Sequence, residues 1–167
     1  VTPFKAGKLS TWEGGMRAPM VIRWPGVIKP GTVKNEIFAS LDWLPTFVDI
    51  AGGPSGDGLK KQIEAGSYPG IVKTTLDGVD QRDYLEGKTE KSARDHFLYW
   101  SGTTPSAVRY KNWKMYFAMV SDNPAGFISG VQPYSWTQVV NIKRDPFETS
   151  IGSQQKTLFG MGGAIAS

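Results

Sequence analysis

The strongest constraint on the fold lies between residues 107 and 119. Ala107-Val108-Arg109-Tyr110 and Trp113-Lys114-Met115-Tyr116-Phe117-Ala118-Met119 flank Lys111-Asn112. Two apolar-rich segments joined by two polar residues predict a β-hairpin, with Asn112 tolerating a positive φ in the turn. On such a hairpin the alternation supplies one buried and one wet face. Phe97-Leu98-Tyr99-Trp100 and residues 136–142 have strand character too, and Arg144-Asp145-Pro146 follows as a turn. From about residue 95 onward the expectation is therefore a small antiparallel sheet. Twenty glycines and eleven prolines in 167 residues exceed the usual share of about 12 % and argue against a helical bundle.

Upstream the pattern changes. Residues 20–24, closed by Pro25-Gly26, predict a short strand, and Lys29-Pro30-Gly31 a second turn. Asp42 as N-cap, Pro45 in the first turn and the Gly52-Gly53 stop predict a helix over 42–51. Its Leu44, Phe47, Val48 and Ala51 share one face at i, i+3, i+4 and i+7, a stripe expected to be buried. Residues 53–75, rich in Gly, Pro, Ser and Lys, read as a surface loop with Lys60-Lys61 a solvated pair.

Several chemistries are excluded by the residues. The chain has no cysteine, hence no disulfide, zinc–thiolate site or cysteine nucleophile within it. Its single histidine, His96, has no partner at catalytic or metal spacing and reads as structural. Gly7-Lys8-Leu9-Ser10 fails as a P-loop, because Thr2 and Leu9 stand where Gly and Ser or Thr are needed. A net charge of +4 is a weak footprint for nucleic acid, although Arg109 to Lys114 interleaves basic and aromatic side chains. No run of 18 apolar residues exists to span a bilayer. Ser121-Asp122-Asn123-Pro124 reads as a turn. Neither Val1-Thr2-Pro3-Phe4-Lys5 nor Gly160 to Ser167 has the marks of a chain terminus, so a piece of a longer protein is expected.

The densest cluster is Gly7-Lys8 with Trp12-Glu13-Gly14-Gly15-Met16-Arg17-Ala18-Pro19. Paired glycines permit tight backbone, Glu13 and Arg17 are close enough to pair, and Lys8 could face an anion. The residues alone leave a structural turn and an anion site both open.

This cluster, continuing through Ile22-Arg23-Trp24-Pro25-Gly26, resembles the second signature region of the type I sulfatases, the bacterial arylsulfatases above all. Leu41-Asp42-Trp43-Leu44-Pro45-Thr46 is similar to that family's Asp-x-x-Pro-Thr helix, and Leu76-Asp77-Gly78-Val79-Asp80 with Tyr84-Leu85 to its Asp-Gly segment. Val108-Arg109, Trp113-Lys114 and Arg144-Asp145-Pro146-Phe147-Glu148 resemble its C-terminal subdomain.

The resemblance implies an α/β to α+β chain. Residues 1–55 would be the tail of an alkaline-phosphatase-like α/β sulfatase domain, 56–94 a connecting loop segment, and 95–167 a truncated antiparallel-sheet subdomain. It implies hydrolysis of sulfate esters by a parent enzyme that uses formylglycine and a divalent cation, calcium in the family's usual pattern, neither carried by residues of this chain. Only the family's sulfate-binding lysine maps here, onto Lys8, with Glu13, Gly14 and Arg17 in support; Lys5 matches no family position. The nearest serine approximation to the formylglycine motif, Ser67-Tyr68-Pro69-Gly70-Ile71, ends in Ile where Arg is required. The implied partners are a sulfate-ester substrate, the N-terminal catalytic part of the same protein and a second copy of the chain, with no nucleic acid and no membrane. The implied location is periplasmic or secreted. The isolated chain is expected to be inactive, the alternative being a non-catalytic binding or assembly module.

Overall fold

The hairpin forms where the sequence places it. In the computed structural model, which describes residues 3–70, 74–120 and 130–151, Tyr110 pairs with Trp113 across the Lys111-Asn112 turn. The left-handed residue is Lys111, at φ +51°, rather than Asn112. Four antiparallel strands follow chain order: β1 (His96–Ser101), β2 (Thr104–Tyr110), β3 (Trp113–Val120) and β4 (Val131–Asn141). This small sheet with a few short helices meets the α+β expectation. Register shifts at Tyr99/Trp100 and Tyr116/Ala118 mark bulges. The turn expected at Arg144-Asp145-Pro146 is present, and the Asp145 carboxylate accepts bonds from the N–H and hydroxyl groups of Thr149 and Ser150. Ser121-Asp122-Asn123-Pro124 and Gly160 to Ser167 lie outside the described residues.

The alternation on β3 runs opposite to its hydropathy. Lys114, Tyr116 and Ala118 are buried, while Trp113, Met115 and Phe117 are exposed. Register explains the choice. Phe97, Arg109, Lys114 and Val140 form one row across the sheet, and Tyr99, Ala107, Tyr116 and Gln138 the next. The core of Trp12, Tyr99, Ala107, Tyr116, Val140, Ile142 and Ile151 closes over that face. The opposite face carries the row Leu98, Val108, Met115 and Val139. With its ammonium sealed inside, Lys114 cannot join a nucleic-acid stacking platform.

The chain divides into two compact units, Val1–Met20 with His96–Ser167, and Val21–Asp95. One cut falls between Asp95 and His96, beside the expected start of the sheet subdomain at 95, and the other after Met20, so the first twenty residues group with the sheet.

In the second unit, the turns at Pro25-Gly26 and Lys29-Pro30-Gly31 form, with Ile28 N–H bonded to Trp24 O and Thr32 N–H to Lys29 O. The strand expected over 20–24 does not. Val21 is 97 % exposed, and a β-favouring run without a neighbour to pair with gains nothing from extension. The helix over 42–51 is present as α2 (Trp43–Ile50), entered from a 3-10 turn at Ser40–Asp42. Its buried side is Pro45 and Thr46, not the expected stripe, since Leu44 and Phe47 are each 56 % exposed.

Asp42 occupies the N-cap position of α2 as expected, but its side chain makes no capping hydrogen bond to that helix. It sits inside the 3-10 turn with helical φ and ψ, so its carboxylate points elsewhere. It accepts from Ala39 N–H, Val79 N–H, Gln81 Nε2 and Arg94. Burial pushes its pKa up, and the Arg94 hydrogen bond with those two N–H groups more than reverses it, leaving the carboxyl below its ordinary value. Thr46 Oγ1 donates to Asp42 O and accepts from Gln81 N–H. The loop expected over 53–75 contains a further helix, α3 (Gly58–Glu64), seated by buried Leu59. Ile63, one turn later, is half-buried on the same face. A last short helix, α4 (Arg82–Glu86), ends on Gly87 in the left-handed conformation.

Candidate anion-facing loop and its buried support

Lys8 stands exposed on the loop leading to α1 (Glu13–Met16). Ala6 at φ +59° and Leu9 at φ +76° flank Gly7-Lys8. Non-glycine residues pay roughly 1–2 kcal/mol for left-handed backbone, so the surroundings must over-determine the loop. Three contacts do so. Ser10 N–H and Oγ both bond to Gly7 O, at 3.2 and 2.7 Å. Gly14 N–H bonds to Lys5 O at 3.0 Å. The loop backbone also lies directly on the paired glycines: a Cβ on Gly14 would stand 2.4 Å from Ala6 O, and one on Gly15 2.5 Å from Gly7 O. No larger residue fits beneath the loop.

Beneath it lies a charged cluster in which Glu13, Lys114 and Glu148 are buried and Arg17 stands at the exposed edge. Glu13 and Arg17 pair as the spacing suggests, Nε to Oε2 at 2.9 Å, with Arg17 also over the Phe4 ring. The Lys114 ammonium donates to Thr11 O at 2.7 Å and Glu13 Oε1 at 2.8 Å, and lies 3.3 Å from Glu148 Oε1. Glu13 N–H donates to Glu148 Oε2 at 2.8 Å, and the Tyr99 and Tyr116 hydroxyls donate to Glu13 and Glu148 respectively. Burial pushes the Glu13 carboxyl up; the Lys114 charge and hydrogen bond, with Arg109 and Arg17, bring it net below its ordinary value. Burial first, then the facing carboxylates, drive both tyrosines far above theirs. Two carboxylates thus face Lys114 and Arg17, with Arg109 near enough to act on Glu13, and Lys8 is exposed on the loop above.

The structure thus brings Glu13, Gly14 and Arg17 together under the loop and leaves the Lys8 side chain in solvent. Lys5 is no bystander. Its ammonium lies 3.7 Å from the Trp12 ring centre and donates to Ile151 O at 3.1 Å. Lys114 and Glu148 escaped the sequence reading as members of this site. The available signal was parity: Lys114 shares a strand face with Tyr116 and Ala118, so burying those two buries it. His96 stands exposed at the start of β1, opposite Tyr110. Among the described residues no group of three or more His, Cys, Asp or Glu could hold a metal ion, and no helix is long and apolar enough to cross a membrane.

Residues 7–101 match the family model described as N-sulphoglucosamine sulphohydrolase, C-terminal. The chain is 30 % identical to steryl-sulfatase of Homo sapiens over 129 residues, covering 74 % of this chain and 20 % of that protein. It is 41 % identical to arylsulfatase A of Bos taurus over 105 residues, 63 % of this chain and 17 % of that one. The crystal structure of the PsFucS1 sulfatase from Pseudoalteromonas sp. superposes with a TM-score of 0.70 at 26 % identity, over 97 % of this chain and 32 % of that one. The chain spans about a fifth of the length of these curated relatives.

Proposed function

The chain belongs to the sulfatases, through their N-sulphoglucosamine sulphohydrolase C-terminal family, and from that premise we propose that it is the C-terminal part of an enzyme cleaving sulfate esters to an alcohol or phenol and sulfate. Lys8 is the residue assigned to the sulfate. The carrying observation is the loop: an exposed ammonium between two left-handed non-glycine residues, fixed from below by Gly14 and Gly15. Negative charge moves onto the ester oxygen as the S–O bond breaks, and a compact rotating donor can follow it.

Formylglycine would supply a geminal-diol nucleophile and calcium a charge clamp, but the residues present do not fit either group. The chain has no cysteine, its serine approximation lacks the arginine, and the described residues offer no metal cluster. Both belong, on this reading, to the N-terminal part of the enzyme, and the isolated chain is inactive. An exported, periplasmic or secreted enzyme is the location proposed. The exposed row Leu98, Met115 and Val139 favours a second role as an assembly surface, with another copy of the chain as its partner.

The test is made in the full-length enzyme on an aryl sulfate. Lys8→Ala should lower kcat/KM by about 10²–10³-fold, while Lys61→Ala, an exposed lysine of α3, should leave it unchanged. Parental activity in Lys8→Ala would remove the assignment.

A further inference from the structure

We propose that Lys114 is a positioning residue, whose buried ammonium sets the place of Lys8 by tying residues 11–13 to the sheet; the inference rests on the reading of Lys8 as the sulfate contact. Lys114 is fully buried, so it acts only through what it holds. It holds two points of one segment, the Thr11 carbonyl and the Glu13 carboxylate, while Glu148 takes the Glu13 N–H.

That segment does not hold itself. Thr11 Oγ1 and Trp12 Nε1, on consecutive buried residues, lack a hydrogen-bond partner among the described residues, and Glu13 Oε2 has only its ion pair with Arg17. Polar atoms left so are unusual and call for an outside tie. From Glu13 the tie runs on through α1: Gly14 N–H holds Lys5 O, and Gly15 lies against Gly7 O and Ser10 O, so that the contacts fall on both sides of Lys8. A tetrahedral ammonium reaches the carbonyl and both carboxylates at once. Methionine has the same reach and no donor.

A double-mutant cycle in the full-length enzyme separates positioning from mere folding. Lys114→Met should lower kcat/KM on nitrophenyl sulfate about ten- to a hundredfold in the parent, the scale of a small misplacement. In the Lys8→Ala background the same change should cost less than about twofold, because the group it positions is gone. An equal loss in both backgrounds overturns the inference, and so does Lys114→Met at parental activity. Should Lys114→Met not fold, Glu148→Gln enters the same cycle, since it touches the segment through Glu13 N–H; coupling to Lys8→Ala supports the inference and additivity overturns it. Lys8→Ala at parental activity sinks the sulfate-contact reading itself, whereas an impaired Lys8→Ala with additive losses sinks only the positioning.

Discussion

Lys114 donates to Glu13 Oε1 at 2.8 Å with both side chains shut away from solvent. A buried pair of this kind contributes little net stability compared with an apolar pair, yet loss of one member strands the other. The arrangement is therefore unforgiving of single changes.

Lys114→Met should destabilise the fold by roughly 3–5 kcal/mol, read as a fall in the urea midpoint. Adding Glu13→Gln should recover part of that loss, since no unpaired charge then remains at that position. A double variant weaker than the single by the full additive sum would contradict this account.

Arg94 forks onto both oxygens of Asp42 while its second amino group also reaches Asp77 O. Arg94→Lys keeps the charge but loses the fork, and should cost on the order of 1.5–3 kcal/mol. The loss should fall on Val21–Asp95, visible as faster amide exchange at Val79 and Gln81. Unchanged exchange there would mean that the fork is dispensable.

Asp145 should contribute stability with a defined pH window. Burial is the largest single influence and raises its carboxyl, but four bonds from Ser150 and Thr149 together outweigh it and lower the carboxyl from 3.8 to about 2. A depressed folded-state pKa means the contribution is complete above the unfolded value and disappears as pH falls through the folded one. The stability gap between parent and Asp145→Ala should be constant near neutrality and shrink between about pH 4 and pH 2. A gap that persists undiminished at pH 2 would exclude this linkage.

The isolated chain should self-associate and show no sulfatase activity. Leu98, Met115, Val139 and Trp113 share one exposed sheet face, larger than scattered apolar side chains explain. Sedimentation should detect dimers or larger species that Leu98→Lys with Val139→Lys shifts towards monomer. Release of nitrophenol by a homogeneous sample, with or without calcium, would end the inactive-fragment reading.

The strands and the hairpin were legible because their signal is local: apolar runs of strand length broken by turn residues. The sulfatase signatures were legible as strings in the right order. What no local pattern shows is which face of β3 turns inward. Hydropathy puts Trp113 inside and Lys114 out, and only Glu13 and Glu148, one hundred-odd residues upstream and 34 downstream of it, make the reverse arrangement stable. The same limit hid the role of Asp42, whose partners at 79, 81 and 94 are remote in sequence. The strand misread at 20–24 fails for the complementary reason, since a strand is a property of a pair.

Ala6 and Leu9 hold the mirror-handed backbone on either side of Gly7-Lys8. Glycine at either position would relieve about 1 kcal/mol of steric strain while letting the bend wander. Selection for heat resistance and selection for turnover should thus pull these two sites in opposite directions, and a library sorted both ways would reveal the division of interest within four consecutive residues.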